Sequence, residues 1–375
     1  MIKRIIEEKI KKKLQDHKAI ILLGPRQSGK TTFVDELISR QDLKALVLSG
    51  DDADDRNKLS NTSVTKLKQL IGKHEVLVID EAQRVENIGI TIKLIVDKIK
   101  DVKVITTGSS AFELANKINE PLTGRKWEYT LLPFSFQEMI RHHGEIEEQK
   151  LLEQRLVYGY YPDVVNNPSD APALLKQLAD SNLYKDILTW EDIKKPERLE
   201  KLVQALAFQV GNEVSYNELG QLCGLNNETV ERYILLLEKA FVVFRLTGLS
   251  RNLRNELKKS RKIYFYDNGL RNAVINNFNS IQLRNDNGAL WENFLMAERL
   301  KVLFYNEKSC NRYFWRTLAQ QEIDYVEEKN GKMKAYEFKW STARKYKFPK
   351  SFLDNYDVES TKIVTPENFK EFVLP

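Results

Sequence analysis

The chain has 375 residues, a net charge of +6 and 42% hydrophobic residues, a balance that predicts two or three packed domains and excludes a disordered or fibrous protein. No run approaches the roughly 18 apolar residues that cross a bilayer, and no apolar block with a small-residue cleavage site opens the sequence, so a cytoplasmic protein without a membrane partner is expected. Cys223 and Cys310 stand far apart and, with four scattered histidines, give no metal or redox spacing, so both thiols are expected to be reduced.

Ile2, Ile5, Ile6, Ile10 and Leu14 recur at helical spacing in a basic stretch. One modest apolar stripe fits a helix packed on the next domain better than a helix lying on a membrane surface. Apolar runs at 19–23, 45–48, 76–79 and 102–107 read as strands, and 31–40 and 90–99 as helices between them. Strands separated by helices imply right-handed crossovers and a mainly parallel sheet.

The segment Gly24-Pro25-Arg26-Gln27-Ser28-Gly29-Lys30-Thr31 fits GxxxxGK[ST] and lies between a strand and a helix, the context that gives the motif meaning. Glycines let main-chain N–H groups curl around phosphate oxygens, and the helix start adds its positive end. Residues 24 to 31, with Thr32, are therefore the expected ATP-binding loop. Lys30 is expected to reach the β- and γ-phosphates and Thr31 to ligate Mg²⁺. The strand 76–79 delivers Asp80 as a second Mg²⁺ ligand and Glu81 as the group that polarises the attacking water. After the next strand, Ser109 is a candidate for bonding the γ-phosphate or the water. Arg125 is a candidate for reaching a phosphate in its own chain or a neighbour's. ATP and Mg²⁺ are thus the expected cofactors, and ATP hydrolysis the expected activity.

Beyond Pro133 the pattern changes. Residues 134–195 read as mostly helical, broken by the aromatic turn at 158–162. Helices at 197–210, 215–223 and 227–240 followed by strands at 241–246 and 262–266 give the order of a winged helix. Arg251, Arg254, Lys258, Lys259, Arg261 and Lys262 form a basic run suited to phosphates. A helix at 290–300 and strands at 312–316, 322–327, 334–340 and 362–365 follow, with Asn330-Gly331 as a hairpin turn.

The motifs GPRQSGKTT, LVIDEAQ, TTGSSAFEL, LTGR, LLPFSFQE, YGYYPDVV, YFYDNGLRNAV, WENFLMAERL and EIDYV…YEFKW together resemble the prokaryotic AAA-type ATPases that carry a C-terminal domain of uncharacterised function. The resemblance covers nearly the whole chain. It implies an α/β fold with an AAA-type core at 1–133, a helical lid or linker at 134–195, a winged helix at 196–268 and a module similar to PD-(D/E)XK nucleases at 269–375.

Glu292, Asp324, Glu337 and Lys339 match the acidic and lysine positions of that nuclease pattern. Glu337 and Lys339 are two apart on one strand and share a face, with Tyr336, Phe338 and Trp340 on the other. Asp324 and Glu337 are candidate metal ligands there, able to place Mg²⁺ against a phosphodiester, while Lys339 orients the water. The alternative is a solvated strand face. Two functions stay open: an ATP-driven enzyme acting on DNA, and a nucleotide-controlled switch or scaffold for protein partners or further copies of itself, with an inactive nuclease-like domain.

Overall fold

The computed structural model describes residues 2–109, 118, 121–190, 193, 195–249, 261–317, 319–341 and 346–375. The chain divides into two units, 1–134 with 239–241, and 135–238 with 242–375. Both are α/β. Among the described residues no helix is long and apolar enough to cross a membrane.

In the first unit, β1 (Ala19–Leu23), β2 (Ala45–Ser49), β3 (Val76–Asp80), β4 (Lys103–Gly108) and β5 (Lys126–Thr130) form one sheet in the order β2-β3-β4-β1-β5. Every pairing is parallel. β1 is buried at all five positions, as expected of an inner strand covered on both faces. β5 has no counterpart in the sequence reading. Its residues Lys-Trp-Glu-Tyr-Thr are half-exposed, the weak signal of an edge strand. Ile2, Ile6, Ile10 and Leu14 are buried around the short helix Glu7–Lys13, so the N-terminal stripe packs within this unit. Because all five strands are parallel, their C-terminal ends share one edge, where loops and helix starts gather.

In the second unit, β6 (Val243–Gly248), β7 (Arg261–Phe265), β8 (Asn311–Arg316), β9 (Glu322–Lys329), β10 (Lys332–Phe338) and β11 (Val358–Val364) form a mixed sheet in the order β11-β10-β9-β8-β6-β7. The helices Pro196–Phe208, Tyr216–Cys223 and Asn227–Lys239 precede it, with Ser215 capping the second. The expected boundary between 268 and 269 does not divide this sheet. β6 pairs with β7 antiparallel, as a wing would, but also with β8 in parallel through Thr247 and Gly248. The basic run at 251–260 lies outside the described residues.

The segments YGYYPDVV and YFYDNGLRNAV interlock. The buried Asp267 carboxylate accepts from Tyr160 N at 2.7 Å and caps the helix Asn268–Val274 through Leu270 N at 3.1 Å. Asn268 and Asn272 donate to the carbonyls of Leu156 and Val157, which close the helix Leu152–Tyr158. A Cβ on Gly269 would lie 2.1 Å from Tyr158 O, so backbone approach at this crossing tolerates only glycine. Gly269→Ala is expected to cost about 1–3 kcal/mol by overpacking. Thermal unfolding checks it, and an unchanged midpoint contradicts it.

Candidate functional site

β1 ends at the loop 24–29. A Cβ on Gly24 would stand 2.1 Å from Leu131 O, so glycine is required here by main-chain proximity as well as for a phosphate. Gln27 (φ 56°) and Gly29 (φ 85°) adopt left-handed conformations, the kind of turn that gathers successive N–H groups into an anion-binding nest. The helix Lys30–Arg40 starts at once, adding the N–H groups of its first turn and its positive end. Lys30 is buried, and its ammonium donates to Gly24 O at 3.0 Å and Pro25 O at 2.8 Å. It is therefore folded onto the loop that it would leave for a phosphate. Pro25 and Ser28 are buried within the loop, Gln27 is exposed and Arg26 half-exposed, while Thr32 is exposed beside Thr31.

Thr31 Oγ1 lies 3.1 and 3.3 Å from the two Asp80 carboxylate oxygens. Two oxygens bound at right angles to one Mg²⁺ stand about 2.9 Å apart, so a hydroxyl and a carboxylate at this spacing fit the ion. Thr107, on β4 between β1 and β3, donates to Asp80 and accepts from Glu81 N at 3.1 Å. Glu81 has φ 46°, a left-handed conformation that costs a side-chain-bearing residue about 1–3 kcal/mol. Gly50 backs it, since a Cβ there would lie 2.3 Å from Glu81 O. The Glu81 carboxylate accepts from Ser109 Oγ at 3.0 Å and from Gln83 Nε2.

Lys30, Thr31, Asp80, Glu81 and Ser109 therefore meet at one edge of the sheet, but Ser109 is turned to Glu81. Arg125 does not join them. It directly precedes β5 at the N-terminal end of β1, where its carbonyl accepts from Ala19 N, and its guanidinium pairs with Asp97 at 2.7 Å. Five residues of strand, about 16 Å, separate it from the loop, so reach to a phosphate of its own chain is excluded.

Three contributors escaped the sequence reading. Gln83 closes the segment LVIDEAQ but was given no role there, and Gly50 belongs to none of the quoted motifs. Arg4, buried, donates to Ser28 O at 3.3 Å and to Leu132 O, with Phe134 beneath its guanidinium at 4.7 Å. It sat in what read as a merely basic helix.

In the second unit, Glu292 and Asp324 meet, together with Glu322, at a lysine that the sequence placed in a basic run suited to phosphates, while Glu337 pairs with Lys339. Lys262, 1% exposed, places Nζ 2.6 Å from Glu322 Oε1, 3.2 Å from Glu292 Oε1 and 3.8 Å from Asp324 Oδ1. Strand alternation explains the correction. Lys262 and Tyr264 share a face, and the Tyr264 hydroxyl donates to Glu292 at 2.6 Å. Arg261 turns the other way, onto the Tyr216 ring and Glu231. Burial alone would lower the Lys262 pKa, and the charges of Glu292, Asp324 and Glu322 outweigh it and raise it. Asp324 accepts from Phe338 N at 2.9 Å, and Lys339 pairs with Glu337 at 2.7 Å.

The strand carrying Glu337 is not a solvated face. Ala335 and Met333 on the same side are buried with Trp315, Ile323, Val326 and Phe352, so both faces of β10 are covered. The second Glu337 oxygen is buried without a hydrogen-bond partner, the neighbouring Tyr346 hydroxyl being turned to Glu322 O. Among the described residues no group of three His, Cys, Asp or Glu side chains is placed to hold a metal ion. The residues present do not fit the divalent ion that a nuclease-like site requires.

Comparison with known proteins agrees with the first unit's geometry. Residues 16–140 match the family model described as an AAA domain. Residues 149–281 and 287–372 match two domains of unknown function, DUF8612 and DUF4143. The chain is 25% identical to an uncharacterized protein of Mycobacterium tuberculosis, over 88% of this chain and 72% of that one. It is 22% identical to an uncharacterized protein of Methanocaldococcus jannaschii, over 86% and 75%. Among solved structures, the Walker-type ATPase PABY2304 of Pyrococcus abyssi shares the fold with a TM-score of 0.50 at 14% identity, covering 73% of this chain and 96% of that one. The AAA match over residues 16–140 and the shared fold support a P-loop ATPase core in the first unit.

Burial pushes the Glu292 carboxyl up to about 7 against the pull of Lys262, and burial with the Asp324 charge does the same to Glu337. Both folded values exceed the ordinary 4.5, so the folded chain holds protons that the unfolded chain has released. The resulting stability is fully present below about pH 4.5 and is lost as pH rises through 7. The urea midpoint is expected to fall across that window, and Glu337→Gln to flatten the fall. A midpoint with the same slope in parent and variant contradicts the assignment.

Proposed function

We propose that the chain is an Mg²⁺-dependent ATPase acting as a nucleotide-controlled switch, with residues 1–133 as its catalytic core. The observation that carries this is the meeting of an ammonium, a hydroxyl and two carboxylates at one edge of a parallel sheet: Lys30, Thr31, Asp80 and Glu81. When ATP arrives, the amides of residues 26–32 take the phosphate oxygens, and Lys30 exchanges the Gly24 and Pro25 carbonyls for the β- and γ-phosphates. Thr31 and Asp80 would hold Mg²⁺, which would neutralise charge on those oxygens. Glu81 orients the attacking water and accepts its proton. Its present bonds to Ser109 and Gln83 hold the carboxylate at the end of β4. Release from them couples a γ-phosphate to activation. Arg125 contributes only from a second copy of the chain, after parting from Asp97.

Beyond the core, we divide the chain into a helical linker at 134–195, a winged helix at 196–268 and a nuclease-like fold at 269–375, the last two sharing a sheet. The charge of the helix Asn227–Lys239 favours protein partners over DNA. Its exposed face carries Glu228 and Glu231 against Arg232, whereas a helix that enters a groove is basic. DNA association remains the second reading, supported by the order of three helices and an antiparallel strand pair over 196–265.

Glu81→Gln is expected to keep ATP binding and lose about 10²–10⁴-fold in kcat. Turnover within a few-fold of the parent contradicts the role. The switch reading expects Glu81→Gln to change assembly state between ATP and ADP in light scattering, with turnover indifferent to DNA at low salt. DNA-stimulated turnover with an unchanged assembly state would favour the second reading instead.

A further inference from the structure

The buried ammonium of Lys262 has no part in the ATPase chemistry. It projects from β7 toward Glu292 of the helix Asn287–Tyr305 and toward Glu322 and Asp324 of β9. Three carboxylates from two elements thus converge on one cation carried by a third. An ammonium offers three N–H donors, and three carboxylate oxygens lie within 2.6 to 3.8 Å of it. A bound Mg²⁺ would need these oxygens drawn to about 2.0–2.1 Å from a common centre. Nζ already fills the space between them. We infer that Lys262 is a built-in counter-cation seated between Glu292, Glu322 and Asp324, and that the nuclease-like cluster is a closed, metal-free ion network that does not cut phosphodiesters.

The surrounding bonds point the same way. Each acidic position of the nuclease pattern already has a partner. Glu292 takes the Tyr264 hydroxyl, Asp324 takes Phe338 N, and Glu337 takes Lys339. The remaining buried oxygen of Glu337 is a single donor, and one carboxylate oxygen does not make a divalent site. The lysine is also fixed from behind. It lies in β7, bridged to Glu213 on one side and paired with Leu246 of β6 on the other, with the Phe314 ring 5.5 Å from Nζ. A side chain 2% exposed in such a setting has little freedom to swing aside for an ion. Removing it leaves the facing carboxylates with excess negative charge, the condition that recruits a hard cation.

The test uses the full chain with Asp80→Asn, which removes the metal ligand at the nucleotide site, and Mn²⁺ without nucleotide, followed by calorimetry and by the electron paramagnetic resonance signal of free Mn²⁺. The expected result is no stoichiometric Mn²⁺ site, and no Mn²⁺-dependent nicking of supercoiled DNA beyond that of Glu337→Ala. Adding Lys262→Met should create about one Mn²⁺ site per chain, abolished by a further Asp324→Asn. A stoichiometric site in the Asp80→Asn parent that Asp324→Asn removes would overturn the inference. So would a folded Lys262→Met protein, verified by circular dichroism, that takes up no Mn²⁺. Should Lys262→Met not fold, the parent titration decides alone. None of these outcomes depends on ATP turnover, so the ATPase reading stands or falls separately.

Discussion

The first unit is organised by the grip on Asp80. Its carboxylate sits at the end of β3, two strands away from β1, yet it meets Thr31 of the helix that follows β1 and the Thr107 hydroxyl of the intervening β4. Only a parallel arrangement puts these three strand ends on one edge. The same Thr107 hydroxyl accepts from Glu81 N, so the two acids are set by one group. Backbone approach then fixes the glycines. Gly24 passes the Leu131 carbonyl and Gly50 passes the Glu81 carbonyl, each closer than any Cβ allows. Arg4 adds a bond to Ser28 O from outside the motif, which ties the N-terminal segment to the shape of the loop.

The second unit is built on buried charge that is satisfied internally. Glu298, Lys301, Arg271, Arg284, Asp286 and the Lys262 cluster are ion-paired, and their net contribution to stability is small because desolvation offsets attraction. What such networks supply is geometry. Arg271 and Arg284 share Asp286 and hold its carboxyl down to about 2, against the upward push of burial. That pins the start of the long helix Asn287–Tyr305, which carries Glu292 to the sheet.

Much of this was legible in the sequence where one residue's chemistry and its local context agree. The loop at 24–31 and the acids at 80–81 combine residue types with strand-turn-helix order, and their meeting was foreseeable from parallel strands. The hairpin at Asn330-Gly331 was visible because only positive φ suits it, and the two residues have φ 55° and 82°. Pairings between distant segments were not legible. β5 hid because an edge strand of charged and aromatic residues lacks an apolar signature. Lys262 was counted with a basic run, although strand parity separates it from Arg261. Arg125 sat near the phosphate loop in motif order but belongs to the opposite end of the sheet, which only the pairing of Ala19 with Lys126 reveals. The wing strands looked self-contained, and their parallel contact with β8 depends on a partner more than 60 residues away.

Equilibrium ATP binding to Lys30→Ala, measured by isothermal titration calorimetry with Mg²⁺ present, tests the central claim most directly. Removal of an ammonium that pairs with the β- and γ-phosphates should weaken affinity by at least about tenfold, about 1.4 kcal/mol, while the fold survives. A folded variant that binds ATP as tightly as the parent, or a folded parent that binds none, would contradict the account.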